Sequence, residues 1–581
     1  MARALSLQIP TAGAATPAVL AEDSTRLSSC KFGSSTVFGS TLRLRNHVGG
    51  LVWAADSSSS ISRISSELQS GAGEKGPRGD EVVSKSSASS SVSVSEPEAY
   101  GQPMEMEDRG KEAKHPFTHL KVADRWEEIQ GKNNWKGLLD PLDPVLRGEL
   151  LRYGEFCQAT YDSFDWDTHS RYCGSCKWNK NKFLAKTGLG NRGYEVTDYL
   201  YSTSGIEVTK MFRKFQKDND DDDDEYQDFE ASKTWDQESN WMGYVAVATD
   251  EEEIARLGRR DIAIVWRGTA TGLEWAENCR DFLAPGAFDY ENGLGTEQIK
   301  FEAGFMDLYV SSCEKSKYTK KSAREQVHIA VRRLVQKYKG EKLSFTITGH
   351  SLGSAMAMFT AYDLAENAYQ WKAKNPQQKF IDIPITVFSF AGPRIGNDAF
   401  RDRVEELGIK ILRVVSKRDR IPKIPGVILN EGLDIIEKKA EWLYNWIEQL
   451  PWTYTHCGVE LRLDHTTSPH LKSIPAYDLA PLNAHNLEGY LHLLNGYTGK
   501  GKKEFKPFLD RDLALVNKDS NFLKTRHSIP PAWRQEENKG LYRCDKSGRW
   551  IPKYRDPEDL PQYEDLNDEA VPQFTATNTG N

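Results

Sequence analysis

The chain has 581 residues, of which 38% are hydrophobic and 28% are charged, so it is long enough to bury at least one large core. Its 84 acidic residues outnumber 76 basic ones, and no basic tract is dense enough to follow a phosphate backbone, which argues against nucleic acid as a partner. No uninterrupted apolar run approaches the roughly 18 to 20 residues needed to cross a bilayer, so we expect no transmembrane span and only peripheral membrane contact.

The first 55 residues have the composition of an organelle transit peptide. They contain two acids, Glu22 and Asp23, against five Lys or Arg, and they are rich in Ser, Thr and Ala. They lack the compact apolar core of a secretory signal, and a generic disordered tail is the alternative. Serine-rich tracts continue through residues 56–115, which are predicted to be a disordered linker.

Order is predicted from residue 116, and a long helix is predicted after Asp143. In DPVLRGELLRYGEFCQATYDSF, Asp143 is the expected N-cap and Pro144 occupies the first helical position. The apolar stripe of this helix comprises Leu146, Leu150, Tyr153, Cys157 and Tyr161. An acidic run at about 217–230 cannot pack and is predicted to be a solvated loop. This run lacks the spaced ligands and glycine of a calcium site.

Eight cysteines are too few and too unevenly spaced to form a disulfide framework that stabilises a chain of this length. Only Cys173 and Cys176 form a C-x-x-C pair, which supplies half of a tetrahedral zinc site without a second pair. We therefore favour packing, or an occasional disulfide, and predict neither a metal nor a cofactor.

Short β-rich runs alternate with longer helical runs after the acidic loop. The runs DIAIVW, LSFTIT, ITVFSF and KILRVVS are typical of buried strands, and VHIAVRRLVQKY is typical of a helix closed by Gly340. This alternation predicts an α/β fold with a mostly parallel central sheet and helices on both faces. Ligands of such sheets bind at the carboxyl ends of the strands, so the residues that follow each strand are the candidates for function.

The stretch TITGHSLGSAMAM places Ser351 at the junction of a predicted strand and a predicted helix. Gly349, His350 and Gly353 complete a G-x-S-x-G pattern, in which a sharp turn strains the serine and leaves no room for flanking side chains. A plain tight turn is the alternative. The position between strand and helix favours a nucleophile, and the backbone N–H of Leu352 would stabilise negative charge at the helix N-terminus.

A serine nucleophile needs a base and an orienting carboxylate, which follow it in the chain order Ser, Asp, His in α/β-hydrolases. Asp419 follows the KILRVVS strand and is favoured over Asp398 and Asp402, which fall on a predicted amphipathic helix. His485 lies at the start of a helix after a loop, which suits a mobile imidazole, although a helix cap is its alternative role. The other downstream histidines are His456, His465, His470 and His492.

Six sequence blocks resemble the class 3, fungal-type lipases. More closely, they resemble the plant chloroplast phospholipase A1 group of class I gamma type, related to DEFECTIVE IN ANTHER DEHISCENCE. The blocks are IVWRGTATGLEWAENCRDFL, EAGFMDLY, TITGHSLGSAMA, FSFAGPRIGN, RVVSKRDRIPKIPG and AHNLEGYLHLLNGY, in that order. The resemblance implies an α/β-hydrolase domain of the class 3 lipase type at 116–555. It also implies an acyl hydrolase of the sn-1 ester of glycerolipids such as phosphatidylcholine, galactolipids and triacylglycerol.

The resemblance implies roles for individual residues as well. By motif match, Ser351 is the nucleophile, Asp419 the orienting carboxylate and His485 the base, in agreement with the choice made from the residues alone. The block RGTA matches the family's oxyanion turn, which assigns Thr269 as the second oxyanion donor beside Leu352.

Three segments complete the predicted organisation. The resemblance makes residues 270–283 a lid with Leu273 and Trp275 on its apolar side, with an ordinary packed helix as the alternative. A tryptophan-rich insertion at 427–454 is expected to line the acyl groove or to touch a bilayer, with a plain core helix as the alternative. Residues 556–581 are predicted to be a disordered acidic tail.

Three functions are compatible with these residues. A lipid acyl hydrolase is favoured, an acyltransferase with the same triad is the second, and a non-catalytic lipase-like signalling scaffold is the third. The complete Ser, Asp and His set argues against the scaffold. The N-terminal composition and the resemblance imply a chloroplast location, either stromal or peripherally associated with thylakoid or plastoglobule.

Overall fold

The computed structural model describes residues 117, 119–166, 170, 172–203, 239–269, 283–285, 299–377, 382–423, 454–473, 484–502, 504–534, 541–543, 548–552 and 555–561. The predicted transit peptide, linker, acidic loop and lid residues Leu273 and Trp275 fall outside the described residues. So does all of the predicted insertion at 427–454 except its last residue.

Within these described ranges, seven strands form one sheet in the order β1, β2, β3, β6, β7, β8, β9. Strands β3, β6, β7, β8 and β9 run parallel, whereas β1 and β2 add an antiparallel edge. The predicted mostly parallel α/β fold is confirmed. The strands of this sheet are β1 (Tyr194–Ser202), β2 (Asn240–Ala248), β3 (Arg260–Trp266), β6 (Leu343–His350), β7 (Ile385–Phe390), β8 (Lys410–Ser416) and β9 (Val459–Leu463). Two small ribbons pair β4 (Leu283–Pro285) with β5 (Lys300–Glu302), and β10 (Leu541–Arg543) with β11 (Trp550–Pro552).

Helices cover both faces of the sheet because successive strand residues point to opposite sides. The helices are α1 (Trp126–Ile129), α2 (Pro144–Ser163), α3 (Lys180–Lys186), α4 (Glu251–Leu257), α5 (Ala303–Val310), α6 (Ala323–Lys337), α7 (Leu352–Lys374), α8 (Asp398–Glu406) and α9 (Leu487–Gly496). Alternate strand residues such as Val414 and Phe388 pack with α2 and α9 in one apolar cluster. Ile411 and Val387, which point to the opposite face of the same two strands, pack with α6 and α7 in a second apolar cluster. None of the described helices is long and apolar enough to cross a bilayer.

Helix α2 begins where its sequence predicts. The Asp143 side chain accepts hydrogen bonds from the N–H groups of Val145 at 2.8 Å and Leu146 at 3.1 Å, which satisfies two of the free donors at the helix start. The stripe residues from Leu146 to Cys157 are buried, so this helix packs on the sheet as expected. Its last turn carries Tyr161 toward the carboxyl edge of the sheet.

The structure differs from the predicted disorder at the start of the acidic tail. Pro557–Asp559 form a 3-10 turn, and the buried Asp559 carboxylate accepts a hydrogen bond from the Asn179 N–H at 3.1 Å. The preceding Arg555 pairs with the buried Asp165. Contacts with the rest of the domain therefore order this segment despite its acidic composition. Residues 562–581 lie outside the described residues.

Candidate active site

Ser351 is the one-residue connection between β6 and α7. Its backbone has φ 59° and ψ −126°, a region that residues other than glycine rarely adopt. The Ser351 N–H donates a hydrogen bond to the carbonyl oxygen of Phe390, the last residue of β7, at 2.9 Å. The serine is thus held in a strained conformation at the carboxyl edge of the sheet.

The two flanking glycines are required by close backbone contacts. A Cβ atom on Gly349 would lie 2.1 Å from the Gly353 carbonyl oxygen, and one on Gly353 would lie 2.4 Å from the Trp266 carbonyl oxygen. Neither distance leaves room for a side chain. The turn around Ser351 therefore has the crowding that the G-x-S-x-G pattern predicts.

Asp419 and His485 form a buried carboxylate–imidazole pair. The His485 Nδ1 atom lies 2.7 Å from Asp419 Oδ2, and the Asp419 Oδ1 atom accepts from the Ile421 N–H at 2.9 Å. Asp419 is 2% exposed and His485 is 7% exposed. Because a carboxylate only accepts hydrogen bonds, neutral His485 carries its proton on Nδ1 and leaves the Nε2 lone pair available as a base.

His485 lies beside the turn that holds Ser351, but it is not bonded to the serine in this structure. Its ring centroid is 4.6 Å from that of His350, the residue before Ser351. The His485 Nε2 atom is buried and has no hydrogen-bond partner within the described part of the chain. Such catalytic contacts are often long without substrate. The structure therefore brings His485 to the serine turn and forms the Asp419–His485 hydrogen bond.

His350 is fixed by a tyrosine that the sequence predicts only as part of an apolar stripe. The Tyr161 hydroxyl lies 2.7 Å from His350 Nδ1. Burial, and then the neighbouring His485 ring, hold the pKa of His350 well below its usual value. His350 is therefore neutral at neutral pH, and its Nδ1 shares a hydrogen bond with the Tyr161 hydroxyl.

The segment after β3 packs directly against the serine turn. A Cβ atom on Gly268 would lie 2.1 Å from the Tyr161 hydroxyl oxygen, 2.6 Å from the His350 carbonyl oxygen and 3.2 Å from the Ser351 Cβ atom. The next residue is Thr269, whose buried Oγ1 atom has no partner among the described residues. Thr269 is thus near Ser351, and Leu352 is the first residue of α7. Both predicted oxyanion donors lie on the segments that meet at the serine.

The competing acids and histidines lie in other environments. Asp398 pairs with Arg401 and accepts a hydrogen bond from Thr455, and the Asp402 side chain is 61% exposed on α8. His492 lies on α9, where its Nε2 atom is 2.8 Å from the Ser468 hydroxyl. Within the described ranges, the Asp419 carboxylate makes hydrogen bonds with Ile421, His485 and Tyr490. It makes none with the remaining candidates His456, His465 and His470. Of these acids and histidines, Asp419 and His485 are the two that pair with each other within the described ranges.

Neither Cys173 nor Cys176 forms a disulfide with a described residue. The Cys176 Sγ atom lies 3.5 Å from the Tyr199 hydroxyl, and burial raises the pKa of this thiol to about 11. Among the described residues, no group of three or more His, Cys, Asp or Glu is arranged to hold a metal ion. A packing role for Cys176 agrees with these contacts.

Sequence comparisons identify the family. The profile described as "Lipase (class 3)" matches residues 263–429. The chain is 46% identical to phospholipase A1-Igamma3, chloroplastic, of Arabidopsis thaliana, over 74% of this chain and 77% of that protein. It is 38% identical to galactolipase DONGLE, chloroplastic, of the same organism, over 65% of this chain and 72% of that protein. The solved native Rhizomucor miehei lipase propeptide complex is similar with a TM-score of 0.29 and 17% identity, over 54% of this chain and 68% of that chain. The chain belongs to the class 3 lipase family, together with the chloroplastic phospholipases A1 of the Igamma group.

Proposed function

We propose that this chain is a serine acyl hydrolase that releases fatty acid from the sn-1 ester of glycerolipids. One observation carries the proposal: the strained Ser351 lies at the turn beside which a buried Asp419–His485 pair is held. The names of the relatives support phospholipids and galactolipids as substrate classes. Triacylglycerol is a further substrate that the family allows.

The proposed reaction follows from the positions of these side chains. His485 Nε2 takes the proton of the Ser351 hydroxyl as its oxygen attacks the ester carbonyl, and Asp419 stabilises the resulting imidazolium. The N–H groups of Leu352 and Thr269 bind the oxyanion of the tetrahedral intermediate, and loss of one such donor costs about 3 kcal/mol of transition-state stabilisation. His485 then protonates the departing lysolipid oxygen. His485 next takes a proton from water as the water attacks the acyl-enzyme, and it returns this proton to the Ser351 oxygen as the fatty acid leaves.

Access to lipid and cellular location are parts of the same proposal. We propose that residues 270–283 form a lid that exposes Leu273 and Trp275 to lipid when it opens, and that the protein contacts membranes only peripherally. The acid-poor residues 1–55 and the chloroplastic relatives support import into the chloroplast, with a stromal or peripheral thylakoid or plastoglobule location. A fluorescent fusion of the first 100 residues that stayed in the cytosol would contradict this location.

The decisive test measures fatty acid release from vesicles of mixed phospholipid and galactolipid. We expect Ser351→Ala to fold normally and to lose activity by at least about 10⁴-fold, because the residual catalysis of such enzymes comes from the oxyanion donors and binding alone. Asp419→Asn should lose a comparable amount, whereas Asp402→Asn is the matched control on the exposed face of α8. Release at the wild-type rate by Ser351→Ala would rule out the nucleophile. Substrates with different acyl chains at sn-1 and sn-2 would report the position of cleavage.

A further inference from the structure

Arg267 is a buried cation between the end of β3 and the predicted oxyanion residue Thr269. It directly follows Trp266, the last residue of β3, and it is 2% exposed. Within the described ranges, no carboxylate forms an ion pair with it. A buried charge without such a partner is costly, so the groups that contact the guanidinium indicate what it does.

The guanidinium of Arg267 is held by two strands and the end of a helix. Its Nε atom donates to the carbonyl oxygen of Trp241 at 3.1 Å, and its Nη2 atom lies 3.3 Å from the Sδ atom of Met242, both on β2. Its Cζ atom lies 3.7 Å from the centroid of the Phe164 ring, directly after α2. The Arg267 N–H continues the β2–β3 ladder by donating to the Met242 carbonyl oxygen at 2.7 Å. The guanidinium is therefore fixed before any substrate binds.

Another donor of Arg267 binds the peptide unit that carries the predicted oxyanion N–H. Its Nη1 atom donates to the carbonyl oxygen of Gly268 at 2.6 Å. This oxygen and the Thr269 N–H belong to one peptide unit, and a planar trans peptide points its C=O and its N–H in opposite directions. The Thr269 N–H therefore points away from the guanidinium. It has no hydrogen-bond partner within the described part of the chain.

The same peptide unit lies against the serine turn. A Cβ atom on Gly268 would lie 2.6 Å from the His350 carbonyl oxygen and 3.2 Å from the Ser351 Cβ atom. The Oγ1 atom of Thr269 is buried and, like the N–H of this residue, has no partner among the described residues. An unpartnered N–H beside the nucleophile, in a peptide that is held from behind, is the arrangement that an oxyanion site needs.

The charge of Arg267 strengthens this arrangement. Burial lowers the pKa of Arg267 to about 10, so the guanidinium stays protonated at neutral pH. A charged donor on a carbonyl oxygen polarises the peptide and makes its N–H a stronger hydrogen-bond donor. This gain is largest when the acceptor is an oxyanion, so it stabilises the transition state more than the bound ester.

We propose that Arg267 is a positioning residue for the oxyanion: its guanidinium binds the carbonyl oxygen of the Gly268–Thr269 peptide and thereby directs and polarises the Thr269 N–H. The proposal rests on the proposed hydrolase function, because it concerns the oxyanion of that reaction. The alternative role is purely structural, in which Arg267 only joins the ends of β2 and β3. The two roles differ in what they predict for a charged tetrahedral adduct.

The test compares Arg267→Gln with Arg259→Gln. Arg259 lies about 25 Å away along the strand, at the other end of β3, and is also 2% exposed. Its guanidinium lies 5.0 Å from the centroid of the Trp126 ring and donates to the Leu257 carbonyl oxygen at 3.2 Å. Each variant therefore removes a buried guanidinium from a ring and a carbonyl oxygen. Arg259→Gln also removes a cation 3.5 Å from Asp261, so we expect it to cost at least as much stability.

Two ketones with the same alkyl chain separate an oxyanion effect from a general loss of structure. The Ser351 oxygen adds to the carbonyl carbon of an alkyl trifluoromethyl ketone, its proton passes to His485, and the carbonyl oxygen becomes an oxyanion. The matching methyl ketone binds without this adduct. Inhibition constants for both ketones, and kcat and KM for p-nitrophenyl butyrate, are the measurements.

We expect Arg267→Gln to weaken inhibition by the trifluoromethyl ketone about 30-fold and to lower kcat by a similar factor, which is less than the roughly 10²–10³ lost with an oxyanion donor itself. Inhibition by the methyl ketone and KM should change less than about twofold. Arg259→Gln should leave all four values within about twofold of the wild type. Arg267→Lys keeps the charge without the planar fork and should show the same selective loss, about tenfold.

Urea unfolding first establishes which variants fold. Equal losses for the two ketones in a folded Arg267 variant would overturn the positioning role, as would equal effects of Arg267→Gln and Arg259→Gln on the trifluoromethyl ketone. Failure of both Arg267 variants to fold beside a folded Arg259→Gln would make Arg267 a structural residue. A folded wild type that neither hydrolyses the ester nor forms the adduct would instead overturn the hydrolase, and the role of Arg267 with it.

Discussion

Tyr490 links the Asp419 carboxylate of the candidate site to the end of β8. Its hydroxyl donates to Asp419 Oδ2 at 2.6 Å and accepts from the Ser416 N–H at 2.9 Å. Burial, and then Asp419, raise the pKa of Tyr490 well above its usual value, so the hydroxyl stays protonated and remains a donor. Sequence reasoning did not identify this residue, because the apolar spacing of a helix predicts a buried ring and not the partner of its hydroxyl.

We expect Tyr490→Phe to lower the free energy of unfolding by about 1 to 3 kcal/mol, since the Ser416 N–H loses its buried partner. The value of kcat should fall about tenfold with little change in KM, because Asp419 is less firmly placed while Tyr490 does not touch substrate. Tyr244→Phe is the matched control, since among the described residues its buried hydroxyl donates to a backbone carbonyl oxygen, that of Phe156 at 3.0 Å. Urea unfolding and ester hydrolysis are the measurements. An unchanged kcat in Tyr490→Phe would show that the tyrosine does not position Asp419.

At the scale of elements, central strands were predictable and edge strands were not. The runs DIAIVW, LSFTIT, ITVFSF and KILRVVS lie on β3, β6, β7 and β8, because parallel strands buried on both faces are continuously apolar. Strand β9 has the sequence VELRL, in which Glu460 and Arg462 alternate with apolar residues at a sheet edge. Its pattern is too short and polar to be distinguished from a loop. The start of α9 was predictable in outline, because His485 precedes its N-cap Asn486.

Helix α9 also carries a histidine that makes stability depend on pH. Burial, and then His470, Arg511 and His527, lower the pKa of His492 to about 3. In the unfolded chain the pKa of His492 is near 6.5, so below that pH the unfolded state binds a proton that the folded state does not bind. The contribution of neutral His492 to the free energy of unfolding is therefore complete above pH 6.5 and is lost as the pH falls toward 3. We expect the wild type to lose about 2 kcal/mol from this residue between pH 7.5 and 5.

His492→Gln should remove most of that loss while it keeps a side-chain partner for the Ser468 hydroxyl. His119→Gln, at an exposed position, should leave the pH dependence unchanged. Urea unfolding at the two pH values measures both. The same pH dependence in His492→Gln and in the wild type would assign the acid sensitivity to other groups.

At the scale of the whole molecule, chain order allowed the α/β fold and the Ser351, Asp419, His485 set to be predicted, because each follows or precedes a recognisable element. Contacts between distant segments could not be predicted in this way. The Tyr161–His350 hydrogen bond joins residues 189 positions apart, and no periodicity in either segment signals it. The ordered segment at 556–561 was not predicted for the same reason, since its acidic composition alone is typical of a solvated tail.

The contact between that segment and the rest of the domain gives the largest stability effect we expect. Arg555 is 5% exposed and pairs with Asp165, which is 2% exposed, and it also donates to the Ser175 hydroxyl and the Cys176 carbonyl oxygen at 2.9 Å. Arg555→Ala removes the cation that pairs with the buried Asp165 carboxylate, which costs about 3 kcal/mol or more. Lys182→Ala removes an exposed pair with Glu558 in the same segment and should barely move the urea midpoint. Equal midpoints for the two variants would mean that residues 555–561 add little to the stability of the domain, whereas a selective loss in Arg555→Ala would make them part of its folded unit.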